Sequence, residues 1–234
     1  VLVIKKEGNM YKFYKKNVAF TLAEVLMVLG IIGVVATIAL PNLGDSADQQ
    51  LNVAKAKKVY AELSSSWDKY TLKHDIASTL NSAGIMNAIK TNLKVKGTGS
   101  SYKPNVAACS GDSDPNCESS STLLADGSTF TAVRYTTDDN TRYFNIYFDV
   151  DGPQKGDNTL GSDIFCASIT FRKGAIDTPS LEPFQQTDSI TNASTIMTSG
   201  SSATKENGLL WILTYDNMDY NNCTVKWLTD TTCN

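Results

Sequence analysis

Within fifteen residues the chain gathers Asp149, Asp151, Asp157, Asn158 and Asp163. These are hard oxygen donors of the kind that calcium takes. The spacing is not that of an EF-hand, since no third acidic residue precedes Gly152 and no glutamate closes the loop. Asp and Asn are also common turn formers, because their short side chains bond nearby backbone amides. A turn is the reading taken for this segment, with calcium as the alternative and no other cofactor expected. Other chemistry is thinly supplied. His74 is the only histidine and lies in a helical pattern between Lys73 and Asp75, as a solvated side chain. There is no Gly-x-Ser-x-Gly elbow, phosphate loop or His-Glu-x-x-His pair. The carboxylates fall in turn-forming stretches rather than in a recognisable cleft, so no enzyme is expected.

Five cysteines follow the apolar N-terminal segment: Cys109, Cys117, Cys166, Cys223 and Cys233. None forms a Cys-x-x-Cys pair, which argues against zinc. An oxidising compartment accounts for them better. Pairing nearest neighbours joins Cys109 to Cys117 and Cys223 to Cys233, leaving Cys166 over, although spacing alone leaves the connectivity open.

From Val18 to Leu40 the only charge is Glu24. As a helix this stretch is long enough to cross a bilayer core of roughly 30 Å. Lys5, Lys6, Lys12, Lys15 and Lys16 precede it and would stay on the cytoplasmic side, so the body would face outward. A carboxylate near mid-bilayer costs about 2.5–3.5 kcal/mol. The cost is smaller near the end of a span, but it still calls for a partner. A cut between Ala19 and Phe20 would create an ammonium at Phe20, four residues before Glu24, at the spacing where helical side chains meet. An acid in the first turn also suits the positive end of the helix dipole. The same pair formed between neighbouring chains would set their axial register. Simpler readings are an ordinary anchor, a secretory signal peptide cleaved near Ala36 or Ala39, or a buried core helix, against which the basic flank and the length argue.

The run Ala19-Phe20-Thr21-Leu22-Ala23-Glu24-Val25-Leu26, then an aliphatic stretch and Pro41, resembles the cleavage and methylation signature of type IV pilins and type II secretion pseudopilins. The resemblance implies cleavage after Ala19 by a prepilin peptidase, N-methylation of Phe20 and a docking role for Glu24. The family usually has glycine before the cut, where this chain has Ala19. Three segments are expected: a basic leader over 1–19 (with Val1 or Met10 as the start), a transmembrane and filament-core helix over 20–41, and an outer domain over 42–234. Gly30, Gly33 and Pro41 weaken the helix locally, and the resemblance implies that this region loosens on assembly. The implied partners are prepilin peptidase, other pilin or pseudopilin subunits, an inner-membrane assembly platform and membrane lipid. The implied place is the inner membrane, single-pass, with the body in the periplasm or outside. Asp149-Val-Asp-Gly-Pro, Asn158, Gly161, Asp163, Ile164 and Phe165 are similar to the strand–loop–strand segment of pseudopilins, with Asp157 standing where proline is usual. That likeness adds weight to calcium. The other class of function considered is a secreted binding or adhesion protein whose apolar stretch is a signal peptide.

The remaining pattern sets the elements that would position these residues. Leu43, Ala47, Leu51, Ala54, Val59, Leu63, Trp67 and Tyr70 make an apolar stripe, so a helix of about 50 residues is expected. A second helix is expected over 76–95, with Ile85, Met86, Ile89 and Leu93 on one face. Gly97 to Ser121 and Thr178 to Lys205 read as loops. Strands are expected at Thr122–Ala125, Thr129–Tyr135, Arg142–Val150 and Ile164–Phe171, with Leu209–Tyr215 a further apolar element. The fold class is therefore α+β, a long helix on an antiparallel sheet of about four strands, pilin-like. Residues 1–19 carry a net +4 and the rest −7, so nucleic acid is not an expected partner.

Overall fold

The computed structural model describes residues 2–7, 10–15, 21–74, 76, 81–104, 120–136, 142–171, 179–185, 196–197, 202–226 and 229–233. Ala19, Phe20, Cys109 and Cys117 lie outside them. The chain divides into two compact units, Val1–Ala47 and Asp48–Asn234.

In the first unit β1 (Leu2–Glu7) pairs antiparallel with β2 (Met10–Lys15). Helix α1 runs from Leu22 to Thr71 without a break at Gly30, Gly33 or Pro41. Its residues to Ala47 belong to the first unit and those from Asp48 to the second. The transmembrane helix expected over 20–41 is not found: among the described residues, no helix is long and apolar enough to cross a membrane.

The second unit is α+β, and its sheet has six strands where about four were expected. The order is β3 (Val95–Gly99), β4 (Ser121–Leu124), β5 (Thr129–Thr136), β6 (Arg142–Asp149), β7 (Ile164–Phe171) and β8 (Leu181–Pro183), each antiparallel to its neighbours. The two extra strands are the edges. They are short and carry Gly97, Gly99 and Pro183, residues that mask a strand signal.

Register follows the pleat. Phe130, Phe148 and Phe165 stand opposite one another across three strands, as do Ala132, Ile146 and Ala167. This face shares one core with Val53, Ala56, Val59, Leu63 and Trp67 of α1. The buried helix positions step back from Val59 through Ala56 to Val53. Leu51 is half exposed and Ala54 exposed, so at these two positions the expected stripe departs from the true face. The opposite face of the sheet holds a smaller cluster of Val133, Tyr147, Ile164 and Cys166. Cys166 is a buried thiol directed at the Ala167 carbonyl.

Helix α2 (Ser82–Lys90) is shorter than the expected 76–95. The Asn81 side chain caps it by accepting from the Gly84 N–H at 2.8 Å, and Val95 already belongs to β3. Ile85, Met86 and Ile89 are buried as expected, and Leu93 is partly buried. Leu209–Tyr215 is the second half of α3 (Ser202–Tyr215). That helix begins in the polar run Ser-Ala-Thr-Lys-Glu, inside the span read as a loop. β9 (Ile196–Met197) also falls in that span and pairs with β10 (Val225–Lys226).

A disulfide joins Cys223 to Cys233, as nearest-neighbour pairing expected. The segment it closes is also tied by Asn217, whose Nδ2 donates to the Thr231 carbonyl at 2.7 Å, and by Asp219, which accepts from the Cys233 N–H at 2.9 Å. Cys223→Ser is expected to lower unfolding stability by about 2–3 kcal/mol, the loop-closure value for a link of this length. Denaturant titration of the variant measures it, and an unchanged midpoint would mean the polar ties suffice alone.

Candidate functional site

Two places carry the polar chemistry: the first turn of α1 and the loop between β6 and β7.

At the helix start, Thr21 and Glu24 form a capping box. The Glu24 carboxylate accepts from the Thr21 N–H and from the Thr21 hydroxyl, both at 2.8 Å, while the Glu24 N–H donates to the Thr21 Oγ at 3.2 Å. The bond from the Thr21 amide, then that from its hydroxyl, hold the carboxyl below its usual range, so it is ionised at neutral pH. Thr21 was missed as a site residue, although Thr-x-x-Glu before an apolar run is a known start signal. Beyond this box ten large apolar residues, from Leu22 to Val35, are between 44% and 78% exposed. Gly30 and Gly33 have open space where a side chain would point.

In the β6–β7 loop, Asp149 ends one strand and Asp163 directly precedes the next, and both are fully buried. The Asp149 Oδ1 accepts from the N–H groups of Gly152 (2.7 Å) and Asp151 (3.1 Å). The two oxygens of Asp163 accept from the N–H groups of Asn158 and Thr159, each at 2.7 Å. These are the turn bonds expected of Asx residues. Two glycines allow the path. Gly152 has φ +90° and its open side lies 2.7 Å from the Gly127 carbonyl oxygen; Gly156 has φ +64°, and a side chain there would strike the Asp163 and Asp151 carboxylates. Asp149, Asp151, Asn158 and Asp163 are thus brought into one loop, whereas Asp157 is exposed at its vertex.

Turn bonding does not use every oxygen. Asp149 Oδ2, Asp151 Oδ1 and Asn158 Oδ1 are buried with no hydrogen-bond partner, an arrangement that costs about 1–3 kcal/mol per neutral group and more for a charged one. No group of three or more His, Cys, Asp or Glu side chains stands ready as a metal-ligand set among the described residues. The orphaned atoms are two carboxylate oxygens and one amide oxygen. They fit a hard cation in kind, while falling short of the six to eight oxygens calcium takes.

Burial pushes the Asp149 carboxyl up to about 7, helped by the Asp151 charge and opposed by its two amide bonds. Asp163 is raised by burial too, against the amides of Thr159 and Asn158.

No family model, curated protein or solved structure matches this chain.

The pH dependence of stability follows from Asp149. Its folded pKa lies above the unfolded value near 3.9, so its contribution is complete below pH about 4 and is lost as pH rises through about 7. With a chelator present, the melting temperature is expected to fall between pH about 4 and about 7. Asp149→Asn should flatten much of that slope, leaving the smaller part due to Asp163. A wild-type melting temperature that is level or rises over the window would contradict this.

Proposed function

We propose that this chain is a structural subunit of a type IV pilus-like or type II secretion pseudopilus filament, processed after Ala19 and assembled through α1. The observation that carries the reading is the exposed apolar surface from Leu22 to Val35, headed by an ionised Glu24. Ten large apolar side chains left in water are a strong drive for association, at about 25 cal/mol per Å² covered. Identical helices laid side by side would cover them, and this does not require a helix that crosses a bilayer. A carboxylate in such a bundle needs a cation, and the ammonium freed at Phe20 of a neighbour supplies one four residues upstream. Before assembly the Thr21–Glu24 box keeps that carboxylate charged and fixed at the helix start. The body then faces outward from an envelope filament, and the Cys223–Cys233 disulfide suits an oxidising compartment. Prepilin peptidase, other subunits and an assembly platform are the partners this reading requires. The subunit does no catalysis.

A second reading, for the β6–β7 loop, is favoured by its orphaned oxygens. Calcium would be held by Asp149, Asp151 and Asn158, with Asp163 shaping the loop through its two amide bonds. A divalent cation there would offset the Asp151 repulsion that adds to burial in raising the Asp149 pKa.

Three experiments test these readings. Mass spectrometry of the envelope-extracted chain should find N-methylated Phe20 at the mature terminus; a start near Thr37 or Leu40 would instead identify a secreted protein with an ordinary signal peptide. Glu24→Gln keeps an oxygen for the capping box but removes the charge, so filaments should be lost with helix content unchanged; normal filaments would exclude the docking role. For the loop, calcium titration is expected to raise the melting temperature at pH about 7.5, and Asp151→Asn to abolish most of that gain. No shift for the wild type would remove calcium.

A further inference from the structure

After α3 the chain runs as a short strap, residues 216–223, that holds two other elements of the second unit. On one side it holds α1. The Asp216 carboxylate meets the Lys57 ammonium at 2.6 Å, and the side-chain amides of Gln49 and Asn222 exchange two hydrogen bonds, at 2.9 and 2.8 Å. On the other side it holds the β6–β7 loop. Tyr220 is fully buried and donates its hydroxyl to the Gly161 carbonyl at 2.9 Å, with the Asn221 Nδ2 3.5 Å from the same oxygen. Gly208 of α3 completes this seat: a side chain there would come within 3.1 Å of the Tyr220 hydroxyl and 3.2 Å of the Gly161 Cα. Gly161 lies in the limb that carries Asp163. The Ser162 and Asp163 amides donate to the Thr159 carbonyl, and the Asp163 carboxylate accepts from the Asn158 and Thr159 amides.

The strap is braced in turn by the C-terminal residues. Thr231 accepts from Asn217, the Cys233 amide donates to Asp219, and the disulfide joins Cys233 to Cys223. The two hydrogen bonds are at exposed positions, where water can replace either partner. The covalent link therefore decides whether the brace stays in place. Cys233 is exposed, so the link is open to attack by a thiolate from solution. An external dithiol that reduces it closes to its own disulfide, while Cys223 and Cys233 each gain one electron and one proton.

We propose that the Cys223–Cys233 disulfide is a redox latch on the β6–β7 loop. Closed, it braces the strap and keeps Tyr220 on Gly161. Opened by an external dithiol, it frees the strap and loosens the limb that carries Asp163. Tyr220 is the positioning residue, acting on Asp163 through the backbone of that limb. The proposal rests on the cation reading only for what the loop would hold, and the latch itself is read without an ion.

The test is amide hydrogen exchange of the full chain in a mild non-ionic detergent, followed at Asn158 and Thr159, the two amides that Asp163 holds. Dithiothreitol should speed exchange there by about tenfold. Cys223→Ser with Cys233→Ser should do the same without reductant, and dithiothreitol should then add nothing. Tyr220→Phe should also speed exchange with the disulfide intact. Combined with the two serines it should add little further, because both changes act through one contact. Unchanged exchange at the two amides would overturn the latch. So would an equal rise at Ile146 and Ala167 in the middle of the sheet, which would report a general loss of stability, or full additivity of Tyr220→Phe with the serines. Calcium should raise the melting temperature of the oxidised chain more than that of the serine variant, and an equal rise in both would overturn the latch's hold on the loop. No rise in the oxidised chain, with exchange behaving as stated, would defeat the cation reading and support the latch.

Discussion

Trp67 is the side chain on which the second unit closes. It has no exposed surface, its indole N–H donates to the Pro179 carbonyl at 2.7 Å, and its ring meets Phe171 edge-on at 6.5 Å. Phe171 in turn meets Phe144 edge-on at 5.6 Å. The helix is thereby pinned to the sheet's apolar face by packing and by a directed bond at its apolar edge. Tyr60, two turns earlier, donates to the Leu181 carbonyl at 3.1 Å and ties the same helix to β8. Once that face is fixed, α3 can add Leu209, Trp211 and Ile212 to the same core. The C-terminal segment follows through the Trp211 bond to Asn217 at 2.9 Å.

The same demand, that apolar surface leave water, is met in the second unit and left unmet from Leu22 to Val35. The contrast gives that stretch its functional weight, because Glu24 heads it and is held by Thr21. A plain apolar helix would associate in many registers. A fixed charge at one end allows only those in which a cation meets it, because an unpaired carboxylate in an apolar bundle is costly.

The β6–β7 loop trades in the opposite currency. It brings three acidic residues and Asn158 close together, and the two fully buried acids, Asp149 and Asp163, are bonded to backbone amides. Amide dipoles offset part of the cost of burial, but lost hydration still dominates, with like charge from Asp151 added, which is why Asp149 holds its proton to about pH 7. The loop's shape is bound to this. Gly156 lies against the Asp151 and Asp163 carboxylates, and Tyr220 anchors the far side by donating to the Gly161 carbonyl at 2.9 Å.

Much of this was legible from one-dimensional pattern. Strands β4 to β7 follow from alternation and turn residues, the second half of α1 from Val59, Leu63 and Trp67 at helical spacing, and the terminal disulfide from proximity. Those features are local, and a local signal survives without the rest of the molecule. The edge strands were not legible, because Val-Lys-Gly-Thr-Gly and Leu-Glu-Pro become strands only when a neighbour offers its hydrogen bonds. The start of α3 was hidden for a similar reason: its polar first turns are helical because Trp211 and Ile212 are buried further along. The apolar N-terminal stretch was readable, but a membrane crossing did not follow from it in the described structure. In the acidic loop, composition named the oxygens, while only folding decided which of them converge and which, at Asp157, stays in water. Whether two carboxylates repel, share a proton or hold a cation depends on distance and burial, and both are set by the strands that carry them.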